Sequence, residues 1–137
     1  MMISTRGRYA LRVLIDLAQH PDQSCVPLKA IAERQGVSLK YLESIVALLT
    51  KGGLLVSTRG KEGGYRLARP ASQVFVGEAI RLTEGSLSPV SCLSCGDPCD
   101  RAEVCLTLPM WRMLDQLIDG YLSGVSIQML LDGTAGD

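Results

Sequence analysis

Length, composition and charge exclude several classes of protein. The chain has 137 residues, enough for one domain with a hydrophobic core, and 47% of them are apolar. No uninterrupted apolar run approaches the roughly 18 residues of a membrane span, and no apolar segment follows the basic start as it would in a secretion signal. We therefore expect a cytoplasmic protein without membrane segments. In that compartment clustered cysteines indicate metal ligands or redox thiols before structural disulfides.

The formal net charge is zero, but the charges are unevenly distributed along the chain. Up to Arg69 there are eleven lysines and arginines against five acids, which gives +6. From Ala71 onward there are three against nine, which gives −6. A neutral protein with one basic half is a candidate for binding a polyanion through that half and for a separate task in the other.

Apolar side chains at helical spacing predict a first helix, which Ser4 or Thr5 can cap and which His20-Pro21 ends. The periodic apolar positions are Ala10, Val13, Leu14, Leu17 and Ala18. We interpret His20, at the helix end, as a surface or capping residue. We interpret Cys25, beside a valine, as a small apolar residue.

Two further helices separated by a tight turn are predicted next. Pro27 suits the first turn of the second helix, which should reach about Gln35. Ser38 caps the third helix after the turn at Gly36-Val37, and Gly52-Gly53 ends it. This is the layout of a helix-turn-helix DNA reader, whose second helix presents its first turns to base edges in the major groove. The alternative is an ordinary helical hairpin with a solvated face.

The start of the third helix carries residue types that suit contact with DNA. The predicted contacts there are Ser38, Lys40, Tyr41, Glu43 and Ser44. Glu43 can accept a hydrogen bond from a cytosine amino group, while serine and tyrosine hydroxyls can reach phosphate or base.

A β-hairpin with a basic tip is predicted directly after the third helix. Residues 54–59 and 65–67 are β-prone, and the glycine-rich residues 60–64 make the turn. A hairpin in this position is a wing, and a narrow minor groove attracts basic side chains at its tip. The further candidate DNA contacts are Arg8, Arg59, Lys61 and Tyr65. Together with the basic half, the wing favours double-stranded DNA as the partner over an ordinary basic hairpin.

Four of the five cysteines fall within fifteen residues, after a short helix predicted over residues 76–83. Their spacing is Cys-x2-Cys-x3-Cys-x5-Cys, formed by Cys92, Cys95, Cys99 and Cys105. Four thiolates is the ligand count of iron–sulfur clusters and of all-cysteine zinc sites. A metal-free thiol–disulfide sensor and a cysteine-rich loop without a sensing role are the other interpretations.

A long amphipathic helix is predicted from Leu106. Its recurring apolar positions are Met110, Trp111, Leu114, Leu117, Ile118, Tyr121 and Leu122. Because so small a domain cannot easily cover this stripe, we expect a homodimer whose two-fold symmetry places two reading heads on a pseudopalindromic site. The alternative is packing against the first helix. A short final helix is predicted over residues 126–131, and the tail from Asp132 should fray.

Several of these motifs together resemble one bacterial family. They are Ser4-Thr5-Arg6-Gly7-Arg8-Tyr9-Ala10, the Gly36-Val37-Ser38 turn followed by Tyr41-Leu42-Glu43, the wing from Arg59 to Tyr65, and Cys105-Leu106-Thr107 before Trp111. The family is that of the winged-helix transcription regulators that include the iron–sulfur cluster regulator IscR, the nitric-oxide sensor NsrR and the cysteine-metabolism regulator CymR. The resemblance covers roughly residues 1–131 and implies a homodimeric transcription regulator.

The resemblance also implies a [2Fe-2S] cluster in the loop after the wing. Cluster-binding members place three cysteines there, which Cys92, Cys99 and Cys105 match. IscR-like members add a histidine three residues after the last cysteine, where this chain has Leu108. Cys95 is additional to the three-cysteine pattern and is the candidate fourth ligand.

The expected architecture is mainly α with a small β wing. It comprises a winged helix-turn-helix region over 1–84, a cysteine-rich sensor loop over 85–105, a dimerisation helix and short final helix over 106–131, and a tail over 132–137. The predicted function is a homodimeric DNA-binding regulator, expected to repress, under the control of the cluster. The alternative is a metal-free regulator of the same fold, controlled by thiol oxidation, a partner protein or a metabolite. Because no catalytic arrangement is visible, we do not expect an enzyme.

Overall fold

The computed structural model describes residues 3–22, 24–93 and 100–137. The helices are α1 (Thr5–Ala18), α2 (Leu28–Gln35), α3 (Leu39–Lys51), α4 (Val76–Glu84), α5 (Leu108–Gly124) and α6 (Ile127–Asp132). Two strands, β1 (Leu55–Thr58) and β2 (Gly64–Leu67), pair antiparallel, with 3-10 turns at Ala71–Gln73 and Ser91–Leu93. The predicted mainly helical fold with a small wing is confirmed. No helix in these ranges has both the length and the apolar character to cross a membrane.

The core is built around α1, which packs against the other helices of the first half and against α4 and α6. Its predicted apolar face is buried, with Ala10, Val13 and Leu14 at 0% exposure. Gly7 permits the close approach of α4, since a Cβ atom there would lie 2.6 Å from Glu84 Oε1. The backbone N–H of Ser4 donates to the same carboxylate at 3.0 Å, so the start of α1 is tied to the end of α4.

A buried carboxylate fixes α2 against α1. Asp16 carries a charge, yet it is 1% exposed and lies among the buried residues of α1. It accepts hydrogen bonds from Arg34 Nε at 3.0 Å, from Arg34 Nη2 at 2.6 Å and from Gln35 Nε2 at 3.0 Å. Burial would raise the pKa of Asp16, but these hydrogen bonds and the charges of Arg34 and His20 lower it overall. The sequence patterns gave no sign of this contact.

The ends of α1 and α2 follow the predicted boundaries. His20 Nδ1 lies 2.7 Å from the carbonyl oxygen of Asp16, which confirms the interpretation of the histidine as a helix-end capping residue. Gly36 ends α2 with a φ of 64°, a conformation that favours glycine. The Ser38 hydroxyl accepts a hydrogen bond from the Tyr41 N–H at 3.2 Å, which confirms the predicted cap of α3.

Backbone hydrogen bonds join the start of α4 to the segment between α5 and α6. The Val76 N–H donates to the Val125 carbonyl, and the Ile127 N–H donates to the Val74 carbonyl, both at 2.8 Å. The tail that we expected to fray is hydrogen-bonded in the structure. The Tyr121 hydroxyl donates to the Ala135 carbonyl at 2.7 Å, and Ala135 packs against the core.

Candidate nucleic-acid interface and cysteine segment

The third helix separates a buried face from a polar one. Leu42, Ile45, Val46 and Leu49 are 0–1% exposed. Lys40, Glu43 and Ser44, all predicted DNA contacts, lie on the exposed side. The core therefore holds the helix in place. The first turns of the helix expose a positive charge, a negative charge and a hydroxyl group to solvent.

Local hydrogen bonds restrict what the two serines can offer to a ligand. The Ser38 hydroxyl accepts from the Tyr41 N–H, so it retains its proton for a phosphate oxygen or a base acceptor. The Ser44 hydroxyl donates to the Tyr41 carbonyl at 2.8 Å and retains acceptor capacity. Ser38 is thus the better placed of the two to donate to a phosphate.

Tyr41 is a packing residue as well as a candidate contact. Its ring is half-buried and meets the Tyr9 ring edge-on, with centroids 5.9 Å apart and planes at 89°. The Arg12 guanidinium carbon lies 4.7 Å from the centroid of the Tyr9 ring, and Arg12 Nε donates to Gln35 Oε1 at 2.8 Å. This cluster connects α1, α2 and α3, and sequence reasoning missed Tyr9 and Arg12 because the partners come from different helices.

The wing is pinned to the loop before α2. Val26 and Tyr65 exchange backbone hydrogen bonds of 2.8 and 2.9 Å, which adds one further residue to the edge of β2. Tyr65 is half-buried and packs against the core, so its ring has a structural role besides the DNA contact that we predict. Gly63 is required at the tip, since a Cβ atom there would lie 2.2 Å from the Thr58 carbonyl oxygen.

Cys25 also contacts the wing, and its interpretation as a simple apolar residue is incomplete. It is half-buried, and its thiol donates to the Glu62 carbonyl at 2.9 Å. The side chain therefore links the loop before α2 to the wing turn.

The predicted basic contacts are not neutralised by neighbouring acids. Arg8, Lys40, Arg59 and Lys61 are exposed, and none of them forms an ion pair within the described ranges. Arg8 donates one hydrogen bond, from Nη2 to the Thr5 hydroxyl at 3.2 Å. These four cations are therefore available to phosphate groups.

Two of the four predicted metal ligands fall within the described residues, and both are half-buried free thiols. Cys92 lies in the Ser91–Leu93 turn, and Cys105 lies just before α5. Cys95 and Cys99 lie outside the described residues.

The surroundings of Cys105 favour a thiolate. Its sulfur lies 3.3 Å from Thr107 Oγ1. The hydrogen bond with that hydroxyl is the main cause that lowers the pKa of Cys105, and the N–H groups of Thr107 and Leu108 and the charge of Arg101 add to it. Because thiolates, and not thiols, ligate metals, this is a suitable donor for a metal or cluster.

Leu108 occupies the position at which IscR-like members carry a histidine. The residue is 5% exposed and begins α5, so its side chain anchors the first turn of the helix. A leucine supplies no ligand, so the four cysteines stay the predicted ligands.

The predicted apolar stripe of α5 divides into two edges. Ile118 and Leu122 pack against the chain's own core, on the side where α5 contacts α4 and not the first helix that the alternative named. The other edge is solvent-exposed: Met110 53%, Leu114 38%, Leu117 62% and Tyr121 57%, together with Met113, outside the predicted stripe, at 56%. Arg81 on α4 holds α5 through an ion pair with Asp119 and a 2.7 Å hydrogen bond to the Ser123 hydroxyl. The helix is therefore oriented with large apolar side chains facing outward.

Comparison with known proteins confirms the resemblance seen in the motifs. The model of the Rrf2 family, described as an iron-dependent transcriptional regulator, matches residues 3–133. The HTH-type transcriptional regulator IscR of Photorhabdus laumondii is 39% identical over 132 residues, which cover 96% of this chain and 80% of that protein.

Solved structures agree with this assignment. CymR, the global cysteine regulator of B. subtilis, has a TM-score of 0.79 at 33% identity and covers 98% of both chains. IscR of T. potens has a TM-score of 0.76 at 35% identity, covering 97% of this chain and 88% of that one. With the winged helix-turn-helix fold, the exposed basic residues and a family match over nearly the whole length, the chain belongs to the Rrf2 family of DNA-binding transcription regulators.

Proposed function

We propose that this regulator works in the cytoplasm as a homodimer, expected to repress, whose DNA affinity is set by an iron–sulfur cluster bound to the cysteine segment. The observation that carries the proposal is the position of Cys105, a free thiol with a lowered pKa in the short segment that leads into α5. A change at this ligand acts on the first turn of the helix that we assign to the dimer. The spacing of the two reading heads then depends on the state of the cysteine segment.

In the proposed complex α3 enters the major groove and the wing approaches the adjacent minor groove. Lys40, Arg59 and Lys61, which are exposed and unpaired within the described ranges, supply the phosphate contacts. Glu43 is the candidate for reading a base, because a carboxylate accepts from the cytosine amino group. Two copies of this surface would recognise a pseudopalindromic site.

The exposed edge of α5 supports a second copy of the chain as its partner. Five large apolar side chains, each more than a third exposed, lie along one helix. Such a face is costly to leave in water, and a two-fold axis would bring the same residues of both copies together. Arg81 keeps the helix in the orientation that presents this edge.

The cysteine segment has the chemistry to hold a cluster. Cys92 and Cys105 are free thiols in the structure, and the sequence supplies Cys95 and Cys99 between them. Four thiolates complete the coordination of a [2Fe-2S] cluster without the histidine that Leu108 replaces. When bound, the cluster supplies a group that changes charge on reduction and is lost on oxidative damage, while the chain supplies ligands and their attachment to α5.

A metal-free thiol sensor is the second candidate. It is favoured by the half-buried, partly solvent-accessible state of both Cys92 and Cys105, which leaves them open to oxidation. The similarity to the CymR structures is compatible with it, since one of them, from Staphylococcus aureus, is of an oxidised form.

The composition of the purified protein separates the two candidates. Protein prepared without oxygen should show broad visible absorption and contain iron and sulfide in equal, stoichiometric amounts. A colourless protein that also fails to take up iron and sulfide on reconstitution would overturn the cluster and favour the thiol sensor. Zinc in place of iron would likewise overturn the cluster while leaving the DNA-binding assignment intact.

A further inference from the structure

A cleft of about 600 Å³ opens between the C-terminal end of α1, the base of the wing and α6. Leu17, Val26 and Leu67 contribute to its apolar surface. The volume is in the range of small-molecule sites, roughly 300–1,000 Å³. Within the described ranges, no residue of α3 and no cysteine lines the cleft, so it lies apart from the recognition helix and the cysteine segment, and Tyr65 is the one predicted DNA contact in its lining.

The charged residues that line the cleft are all basic. Arg66 and Arg69 contribute guanidinium groups and His20 an imidazole, while no aspartate or glutamate of the described chain lines it. Arg66 is exposed and forms no ion pair with a described residue. Arg69 binds Glu78 through Nη2 at 3.0 Å, but its Nε is buried and has no described hydrogen-bond partner. The buried Nε does not face the cleft, but the Arg69 side chain as a whole is 38% exposed, so it adds positive charge to the lining.

We propose that this cleft binds a small amphipathic carboxylate. A carboxylate matches the two-pronged donor geometry of a guanidinium such as that of Arg66. The Gln128 amide and the Ser24 hydroxyl line the same cleft and can accept or donate further hydrogen bonds. The apolar surface then takes the body of the ligand, which a bare inorganic anion does not have.

The cleft is connected to the wing through the backbone. Tyr65 and Leu67 of β2 line the cleft. Val26, from the loop before α2, lines it too and pairs with Tyr65 through backbone hydrogen bonds of 2.8 and 2.9 Å. A ligand here contacts the segment that positions the wing tip and touches no cysteine. It is therefore a second input to the regulator, and it does not depend on the presence of a cluster.

The test is a titration of the full-length protein by ¹H–¹⁵N NMR with three probes. Sodium benzoate is the amphipathic carboxylate, benzyl alcohol its neutral match, and sodium phosphate the anion without an apolar body. Benzoate should give saturable shifts centred on Ser24, Arg66, Leu67 and Gln128, with benzyl alcohol binding at least about tenfold more weakly. Equal affinity for benzyl alcohol, equal affinity for phosphate, or shifts centred on α5 would each overturn the proposal.

Two substitutions and a control assign the anion contact. Arg66→Gln, at an exposed position that should not disturb folding, is expected to weaken benzoate binding about tenfold. Arg69→Lys keeps a cation beside Glu78 but replaces the two-pronged guanidinium by a single ammonium group, and it should also weaken binding. Lys51→Gln makes the same charge change outside the cleft and should leave binding unchanged. Benzoate affinity that is the same in Arg66→Gln, Arg69→Lys and the parent would contradict the proposed site.

Discussion

Asp16 on α1 and Arg34 on α2 form a two-pronged ion pair in which only the acid is buried. The carboxylate side chain is 2% exposed and the guanidinium side chain 34%, with the shorter N–O distance at 2.6 Å. Burying a charge is costly unless it is paired and hydrogen-bonded, and here Gln35 supplies a third donor. The contact holds the end of α2, and thereby the turn into α3, against the centre of the core.

Removing the carboxylate should destabilise the protein. Asp16→Asn leaves the volume nearly unchanged but removes the charge that Arg34 and Gln35 surround. We expect the free energy of unfolding to fall by about 2–4 kcal/mol, measured by urea denaturation. Asp22→Asn, at an exposed position in the turn between α1 and α2, is the matched control and should change stability by less than about 0.5 kcal/mol.

The same residue should contribute to acid sensitivity. Because folding lowers the pKa of Asp16, its contribution to stability is fully present above the pKa of the unfolded chain, about 3.9, and is lost as the pH falls through the lower folded value. Unfolding curves of the parent between pH 5 and 2 should therefore lose stability more steeply than those of Asp16→Asn. Parallel pH profiles for the two proteins would show that the carboxylate is not stabilised in this way.

Two substitutions of Tyr41 should distinguish its role in packing from a role in DNA contact. Tyr41→Phe keeps the edge-on contact with Tyr9 and removes only the hydroxyl. If packing is its main role, the operator affinity of Tyr41→Phe should stay within about twofold of the parent, while Tyr41→Ala should lose about 1–3 kcal/mol of stability. A large loss of affinity in Tyr41→Phe, with unchanged unfolding, would instead assign the hydroxyl to a DNA contact.

The wing tip should contribute phosphate contacts. Arg59→Gln is expected to weaken binding to specific and non-specific duplexes alike. The slope of the logarithm of the DNA-binding constant against log[salt] should become smaller by about one for each subunit of the dimer. Fluorescence anisotropy over a range of salt concentrations measures both quantities. Arg112→Gln removes the same charge from the other half of the chain and should leave the slope unchanged, provided that light scattering gives the parental mass.

The exposed edge of α5 should be the dimer interface. Leu117→Glu places a charge where the side chain is 62% exposed in one copy, so the isolated subunit should still fold. We expect the mass by light scattering to halve and the affinity for a two-site operator to fall by more than about a hundredfold. Gln116→Glu adds the same charge at the preceding residue and serves as the control. A Leu117→Glu protein with parental mass would place the interface elsewhere.

Cys95 should be required for a complete cluster. Cys95→Ser is expected to lower iron and sulfide content and to alter the visible spectrum of anaerobically prepared protein, because the ligand set falls to three thiolates. Cys25→Ser is the matched control: a serine can donate to the Glu62 carbonyl as the thiol does, so metal content should not change. Full iron and sulfide with an unaltered spectrum in Cys95→Ser would assign the fourth ligand to another residue.

The fold was largely predictable because each helix and the wing are indicated by residues within them or directly beside them. The spacing of Ala10, Val13 and Leu14 reflects a face that is indeed buried, and Gly36 and Ser38 mark the two sides of the turn between α2 and α3. The wing is visible for the same reason, since its tip needs glycine where the chain passes close to the Thr58 carbonyl. Such signals depend on a few neighbouring residues.

What escaped prediction depends on pairs that are distant in sequence. Nothing near Asp16 reveals that Arg34, eighteen positions later, lies beside it. The position of Tyr41 off the apolar stripe predicts exposure, but a ring of α1 lies against it. The roles of Cys95 and Cys99 stay a prediction, since they fall outside the described residues.

Leu87 and Leu108 bracket the cysteines with two buried apolar anchors, at 8% and 5% exposure. The segment that carries the cysteines thus begins and ends at buried positions of the folded protein, and bringing its ends together adds no further cost in chain entropy. Loss of a ligand inside such a loop has no need to unfold the reading head. If the proposed cluster is present, we therefore expect the regulator to stay folded with and without it, instead of existing only in the loaded form.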